Sequence, residues 1–305
     1  MAVTNMLGVL LYRARNAMRQ RDLMLRRRFL PIFAAAAARS QPEDRLAGFF
    51  DGVHGSAILI GAPARRRISI HEPEIVGRAL APPGSTVKPF AIAALLESGK
   101  LRPLETLRCP GKLEIGGRNL ACSHPPDLPP MTARPAIAYS CNCFVAHYAA
   151  RLEPGELTRA YGRYGLLSRT AWIDEEVAGE FTHGDVRLQA LGEAGVLVTP
   201  AAVAMAYTRL AVTTGRAWMG PVLGGLEDAV EFGTAQRARV EGIKAAGKTG
   251  SVRSAEGASL AWFAGFAPSV NPRYVVTVML QGRSGGADAA PVAGRILEAA
   301  WNGRW

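Results

Sequence analysis

The chain has 305 residues, 49% of them hydrophobic and 20% charged. That is long enough to bury a substantial core and too apolar for a disordered chain. No run of about 18 apolar residues occurs, which argues against a membrane-spanning helix. The net charge of +11 is concentrated at one end: residues 1–38 hold seven Arg and one Asp. The remainder is only mildly basic and has no basic stripe interleaved with aromatics, so no nucleic-acid partner is expected.

The basic N-terminus reads "MLRRRFLPIFAAAAARSQPE" from Met24. Arg26, Arg27 and Arg28 precede an apolar stretch from Phe29 to Ala38, and Ala36-Ala37-Ala38 offers a small-residue cleavage site. These are the three parts of an export signal, and "RRRFL" resembles a twin-arginine signal. Residues 1–38 are therefore expected to be a leader with its signal at 24–38, and a signal that starts at Met24 points to residues 1–23 as the product of a start codon placed too early. Residues 39–305 are expected to form one catalytic domain, exported to the periplasm or another extracytoplasmic space, without a membrane anchor.

Past the leader the elements follow in order. "GSAILI" (55–60) and "RRRISI" (65–70) predict two strands around the turn "GAPA". "TVKPFAIAALLESG" (86–99) predicts a helix ended by Gly99. "LEIGGRNL" (113–120) predicts a small hairpin, because Gly-Gly suits a two-residue turn. A proline-rich loop at 125–135 leads into a helix, a break and a second helix over 134–152. "TPAAVAMAYTRLAVTTG" (199–215) predicts a helix capped by Thr199, with Pro200 in its first turn and Gly215 at its end. Three strands are expected at 243–250, 260–268 and 274–281, the last continuously apolar and hence central. A closing helix over 288–302 is expected to be capped by Asp288. Strands at both ends with helices between them predict an α/β (α+β) domain: one antiparallel sheet, with these five strands, flanked by helices.

The chemistry starts at "PPGSTVKPF" (82–90). A helix beginning at Ser85 or Thr86 puts Ser85 and Lys88 on one face, and Pro89 then falls where a missing N–H costs little. A serine hydroxyl needs a base, and a lysine whose pKa is lowered by burial or a neighbouring cation can serve as one. The free N–H groups of a helix start suit an oxyanion. Alone the pair is a common coincidence. Two more motifs follow, Ser140-Cys141-Asn142 and Lys248-Thr249-Gly250-Ser251.

In this order and spacing the three motifs resemble those of the penicillin-binding transpeptidases, the penicilloyl-serine transferase superfamily. The surroundings "AIAYSCNCF", "GVLVTPAAVAMAYTRLA", "AWFAGFAP" and "DAAPVAGRILEA" look similar too, so the resemblance covers residues 50–300 or so. It implies a β-lactamase/transpeptidase-like fold and assigns roles. Ser85 would attack the carbonyl of a terminal D-Ala-D-Ala bond, Lys88 would take its proton, and Ser140 would relay that proton to the leaving amine. Asn142 would bind the substrate amide. Lys248 would keep Lys88 neutral and attract the substrate carboxylate, which Thr249 and Ser251 would bind. The N–H groups of Ser85 and Ser251 would form the oxyanion hole, and Gly250 would let substrate lie close along the strand edge.

The resemblance implies peptidoglycan stem peptides as substrate, β-lactams as inhibitors and cell-wall synthesis proteins as partners, with no metal and no cofactor needed. No Asn lies between Asn142 and Asn271, so the Glu-x-x-x-Asn loop of class A β-lactamases does not occur before Lys248. Asn142 stands where class D enzymes have an apolar residue. "PGSTVKPF" and "VTPAAVAMAY" look like the monofunctional elongation and division transpeptidases, although only a short leader-like segment precedes the domain here. A D,D-carboxypeptidase, a weak β-lactamase and a sensor that stays acylated are the other readings.

Four cysteines remain. Cys109 and Cys122 flank the predicted hairpin, with His124 just beyond, and Cys141 and Cys143 bracket Asn142. With 116–117 as the turn, Cys109 pairs with His124 and Cys122 lies diagonally across, about 7–8 Å away. That is long for a disulfide without a bulge. A Cys109–Cys122 disulfide suits an exported protein. A zinc site from Cys109, Cys122, His124 and one further thiol, or free buried thiols, are the alternatives. Cys141 is expected to pack behind the active site rather than to ligate. His54, His71, His147 and His183 show no ligand spacing and read as surface or satisfied core residues.

Overall fold

The computed structural model describes residues 44–213, 219–253 and 259–304. The expected export signal and the expected helix stop at Gly215 lie outside the described residues. Five strands form one antiparallel sheet: β1 (Gly55–Gly61), β2 (Arg66–His71) and, at the other end of the chain, the strands Ala246–Arg253, Ser259–Ala267 and Tyr274–Gln281. The last strand pairs with β1, so the two chain ends close the sheet together. The apolar "YVVTVMLQ" strand is the central one of the five, as its composition predicts.

Between these ends run the helices and two small strand pairs. They are α1 (Pro73–Arg78), α2 (Lys88–Glu97), the hairpin β3 (Lys112–Ile115) with β4 (Arg118–Ala121), α3 (Ala133–Ala138), α4 (Asn142–Ala149) and α5 (Glu156–Tyr164). Then come β5 (Glu180–Phe181), α6 (Val186–Leu191), β6 (Val196–Leu197), α7 (Pro200–Ala211) and α8 (Gly220–Glu231). The C-terminal strands are β7 (Ala246–Arg253), β8 (Ser259–Ala267) and β9 (Tyr274–Gln281), and α9 (Ala290–Trp301) closes the chain. Among the described residues no helix is long and apolar enough to cross a membrane.

Strand alternation sorts the core into two layers. Leu59, Phe263, Val276 and Val278 point to the face covered by Ile296 and Leu297 of α9. Their neighbours in register, such as Ile58 and Trp262, point to the opposite face, where α7 packs on β1, β8 and β9. Helix α2 is buried from Lys88 through Leu96. Its near-uniform apolarity marks a helix enclosed by protein on all sides rather than an amphipathic surface helix.

Several boundaries differ from expectation. Helix α2 starts at Lys88, not at Ser85: residues Gly84–Val87 form a tight 3₁₀ turn, and Pro89 sits in the first α-helical turn. Helix α3 begins inside the proline-rich segment, because Pro135 falls in its first turn, where its missing N–H is tolerated. Thr199 caps α7 through Ala202 N–H at 3.1 Å, as expected, but the helix ends at Ala211. The β-branched run Val212-Thr213 disfavours further helix, and Thr213 Oγ1 bonds back to the Arg209 carbonyl at 2.7 Å. Asp288 does not cap the closing helix. Its carboxylate accepts backwards from Arg283 and Ser284 N–H, while Ser284 Oγ accepts from Ala287 N–H at 3.2 Å. Helices α1, α5, α6 and α8 have no counterpart among the expected elements. In α5, Gly162 masks an i, i+3, i+4, i+7 stripe of Leu157, Ala160, Tyr161 and Tyr164.

The tightest packing joins backbone to backbone. Gly192 has φ +71°, and a Cβ there would lie 2.2 Å from the Gly84 carbonyl oxygen. The Gly84 N–H in turn donates to the Gly192 carbonyl at 3.1 Å. Gly192→Ala is expected to cost about 2 kcal/mol or more, combining left-handed strain with displacement of the Gly84 turn. Gly99→Ala, at the same φ of +71° but with nothing within 4 Å, should cost only about 1 kcal/mol. Urea unfolding of the two variants side by side checks this, and equal losses would refute the packing argument.

Candidate active site

The three motifs arrive from three directions. Ser85 sits half-buried on the 3₁₀ turn, one turn before Lys88. Ser140 and Asn142 come from the break between α3 and α4, and the Lys248–Ser251 segment lies on β7, the free edge of the sheet.

Lys88 joins the first two. It is fully buried, and its Nζ donates to the Ser140 carbonyl at 2.8 Å, to Ser140 Oγ at 3.3 Å and to Asn142 Oδ1 at 2.5 Å. Burial pushes its ammonium down to about 8, while Cys141, Cys122 and Glu193 pull it the other way. A buried amine close to neutrality and hydrogen-bonded to a serine hydroxyl is a competent proton carrier. Ser140 pays for its placement with φ +57°, a left-handed conformation uncommon for a side chain other than glycine. The surrounding bonds hold it there: the Ser140 N–H donates to Ile137 O at 3.1 Å, and the Cys141 N–H to Ala136 O at 2.9 Å.

Asn142 has partners within the protein at both ends of its amide. Its Nδ2 donates to the Ala121 carbonyl at the end of β4, 2.8 Å away, and its Oδ1 accepts from Lys88 Nζ. Both ends of the amide are thus engaged within the protein, and the residue orients Lys88 and ties the hairpin to the site.

Lys248 is also fully buried, with its Nζ donating to the Thr249 carbonyl at 3.2 Å. It is held well below its ordinary value, by burial first and by the Lys88 ammonium second. Lys248 was expected to keep Lys88 neutral, but burial takes the leading part for both amines. Thr249 Oγ1 meets Thr234 Oγ1 at 2.9 Å, and Ser251 Oγ accepts from Gly285 N–H at 2.9 Å. Gly250 was expected to make room for substrate. A Cβ there would point at the Pro83 carbonyl, 2.7 Å away, and at Thr86 Cγ2, 2.9 Å away. Its glycine is required first by the turn that carries Ser85. From the other side, a Cβ on Gly84 (φ +53°) would meet Ser251 N at 3.3 Å, so the Ser251 N–H lies beside that turn.

Three contributors carried no motif signal. Tyr207 of α7 is buried and donates its hydroxyl to the Thr86 carbonyl at 2.8 Å, bracing the turn from below. Thr234 meets Thr249, and its N–H holds the Ala138 carbonyl at 3.1 Å. Glu193, next to Gly192, acts electrostatically on Lys88 and Arg118, and burial pushes its own carboxyl up. Only helical periodicity marked Tyr207 as inward-facing; Thr234 and Glu193 sit in short Gly- and Ala-rich loops that no spacing singles out.

Beside Asn142 the thiols cluster. Cys109 and Cys122 are unbridged with Sγ atoms 3.6 Å apart, and Cys122 Sγ lies 3.9 Å from Cys141 and 3.6 Å from Cys143. The diagonal separation is closed by a bend at Gly111 (φ +82°), which turns Cys109 back over the hairpin. Cys141, expected to stand apart, belongs to this group: its Sγ and those of Cys109 and Cys122 lie with a His124 ring nitrogen all within 4.8 Å of one another.

The sequence and the fold are similar to those of known proteins. The family model "Penicillin binding protein transpeptidase domain" matches residues 78–214 and 221–298. Penicillin-binding protein PbpB of Mycolicibacterium smegmatis is 25% identical over 260 residues, 68% of this chain and 40% of that protein. Stage V sporulation protein D of Bacillus subtilis is 28% identical over 268 residues, 70% of this chain and 41% of that protein. The chain thus spans about two fifths of the length of these relatives. Peptidoglycan D,D-transpeptidase PbpA of Mycobacterium tuberculosis is 26% identical over 278 residues, 73% of this chain and 55% of that one. Among solved structures, Pseudomonas aeruginosa PBP2 in complex with WCK 5153 has a TM-score of 0.73 at 21% identity, over 84% of this chain and 75% of the other. The peptidoglycan glycosyltransferase from Burkholderia ambifaria gives 0.72 at 21%, over 82% and 89%. At such identities these structures speak for the fold. With its motifs in order on that fold and most of its length matched by the family model, the chain belongs to the penicillin-binding protein transpeptidase domain family.

Proposed function

We propose that this domain is a serine D,D-transpeptidase that acts on D-Ala-D-Ala stem peptides of peptidoglycan through an acyl-Ser85 intermediate, on the extracytoplasmic side of the cell. The observation that carries the reading is the buried Lys88 amine, one turn beyond Ser85 and hydrogen-bonded to Ser140 and Asn142.

The proposed reaction runs in these steps. Ser85 Oγ attacks the penultimate D-Ala carbonyl and gives its proton to neutral Lys88. The developing oxyanion is met by the N–H groups of Ser85 and Ser251. Lys88 passes the proton through Ser140 Oγ to the departing D-Ala nitrogen, and the peptide bond breaks, leaving the acyl-serine. An amine acceptor reverses the sequence: it attacks the ester and loses its proton along the same path to Ser85. A substrate carboxylate at Thr249 and Ser251 supplies the anion that the buried Lys248 lacks among the described residues. A peptide laid along the free edge of β7 adds a strand to the sheet. β-Lactams enter by the same attack, and cell-wall synthesis proteins are the partner class.

Fluorescent penicillin should label the wild-type chain and not Ser85→Ala; undiminished labelling of the variant would sink the assignment. Release of the label separates three fates: release to water marks a hydrolase, release to an added amine a transpeptidase, and retention a sensor.

The acylation rate should rise with pH through about 8 and level off above it, because the base is the neutral amine of Lys88. Below that point the rate falls about tenfold per pH unit. Lys248→Met should weaken acylation but leave the midpoint within about one unit, since burial is the main cause of the Lys88 value. A rate flat between about pH 6 and 9 would exclude Lys88 as the base.

A further inference from the structure

We propose that Cys109, Cys122, His124 and Cys141 form a tetrahedral zinc site that fastens the β3–β4 hairpin to the Ser140–Asn142 segment. The spacing is that of a ligand shell. With Zn–S near 2.3 Å and Zn–N near 2.0 Å, the edges of a tetrahedron are about 3.5–3.8 Å. The Cys109–Cys122 and Cys122–Cys141 separations are 3.6 and 3.9 Å, and all four ligand atoms lie within 4.8 Å of one another.

The histidine supplies an independent observation. His124 Nδ1 lies 2.8 Å from the Pro125 carbonyl, which accepts only from a protonated nitrogen. That fixes the tautomer and leaves Nε2 as a lone pair. Nε2 is buried, without a hydrogen-bond partner among the described residues. A ligating histidine with its other N–H on a backbone carbonyl has this arrangement. The sulfurs are prepared in the same way: the Gly111 N–H donates to Cys109 Sγ at 3.3 Å and the Phe144 N–H to Cys141 Sγ at 3.4 Å, both favouring thiolates. A disulfide would have to draw two sulfurs from 3.6 Å to about 2.05 Å, and it would leave His124 Nε2 and Cys141 unanswered. Three thiolates and one imidazole in a tetrahedron select zinc among divalent metals.

The site reaches the catalytic machinery without belonging to it. Cys141 is the residue between Ser140 and Asn142, and Cys122 follows Ala121, whose carbonyl holds Asn142 Nδ2 at 2.8 Å. Metal bonds to Cys122 and Cys141 therefore clamp both sides of that hydrogen bond and keep Ser140 at φ +57°. The four ligands are positioning residues. Cys143, 3.6 Å from Cys122, is a neighbouring thiol outside the shell.

Elemental analysis of the full chain, purified reduced and without chelator, should find about one zinc per chain. Cobalt substitution should give the absorption of tetrahedral cobalt–thiolate. Cys109→Ser and His124→Ala should lower metal affinity about 100-fold or more, whereas Cys143→Ser should keep one zinc. Chelation should slow acylation of Ser85 at least about tenfold, and added zinc should restore it. Wild-type protein holding well under a tenth of an equivalent after zinc dialysis, or a Cys109–Cys122 disulfide found by mass spectrometry, would overturn the site. Loss of zinc from Cys143→Ser with retention in Cys141→Ser would overturn the ligand set. Acylation indifferent to chelation would overturn the positioning role. Metal content reads the site directly, so it stands or falls separately from the acyl-transfer reading.

Discussion

Everything near the active site answers to one constraint: an amine with no exposed surface at the start of the most deeply buried helix. Placing Lys88 there penalises its charged form, which is what brings it near neutrality. The same burial obliges the protein to satisfy the amine from within, and the acceptors that do so are the Ser140 carbonyl, Ser140 Oγ and Asn142 Oδ1. The break between α3 and α4 exists to present these three atoms. Its left-handed Ser140 is the conformational cost of turning a carbonyl and a hydroxyl from one residue toward the same nitrogen.

A second layer of constraint is steric. The 3₁₀ turn carrying Ser85 is wedged between Gly192 on one side and Gly250 on the other, at distances that admit no Cβ. Tyr207 holds it from beneath through the Thr86 carbonyl. Backbone fixed against backbone leaves Ser85 little room to wander, and precise placement contributes much of the rate of reactions between positioned groups. The glycine of the third motif thus makes room for the turn that carries the first.

The hairpin extends this positioning outward. Asn142 spends its amide N–H on β4, so the orientation of Lys88 depends on an element that lies outside the main sheet. A two-stranded hairpin is marginally stable by itself. The cluster of thiols and His124 at its base supplies the anchorage that its small, half-exposed strands cannot.

Local chemistry legible in the sequence included the Gly-Gly turn of the hairpin, the Thr199 cap and the apolar run of the central strand, and each of these formed where expected. The three motifs, whose order along the chain survives folding, carried the family resemblance, and the fold brings them together. What the sequence could not reveal was direction. That Asn142 meets Lys88, that Gly250 lies against Pro83 and that Cys141 lies with the other thiols all depend on contacts between segments distant along the chain. Tyr207, Thr234 and Glu193 escaped notice for the same reason, because each acts through a partner in another element. Spacing and composition record periodicity within a segment, so they located the five sheet strands and the main helices and pointed to the motif residues. Burial and long-range packing exist only once the sheet and helices close, and they alone decided how acidic Lys88 is, what Asn142 holds and which sulfurs meet.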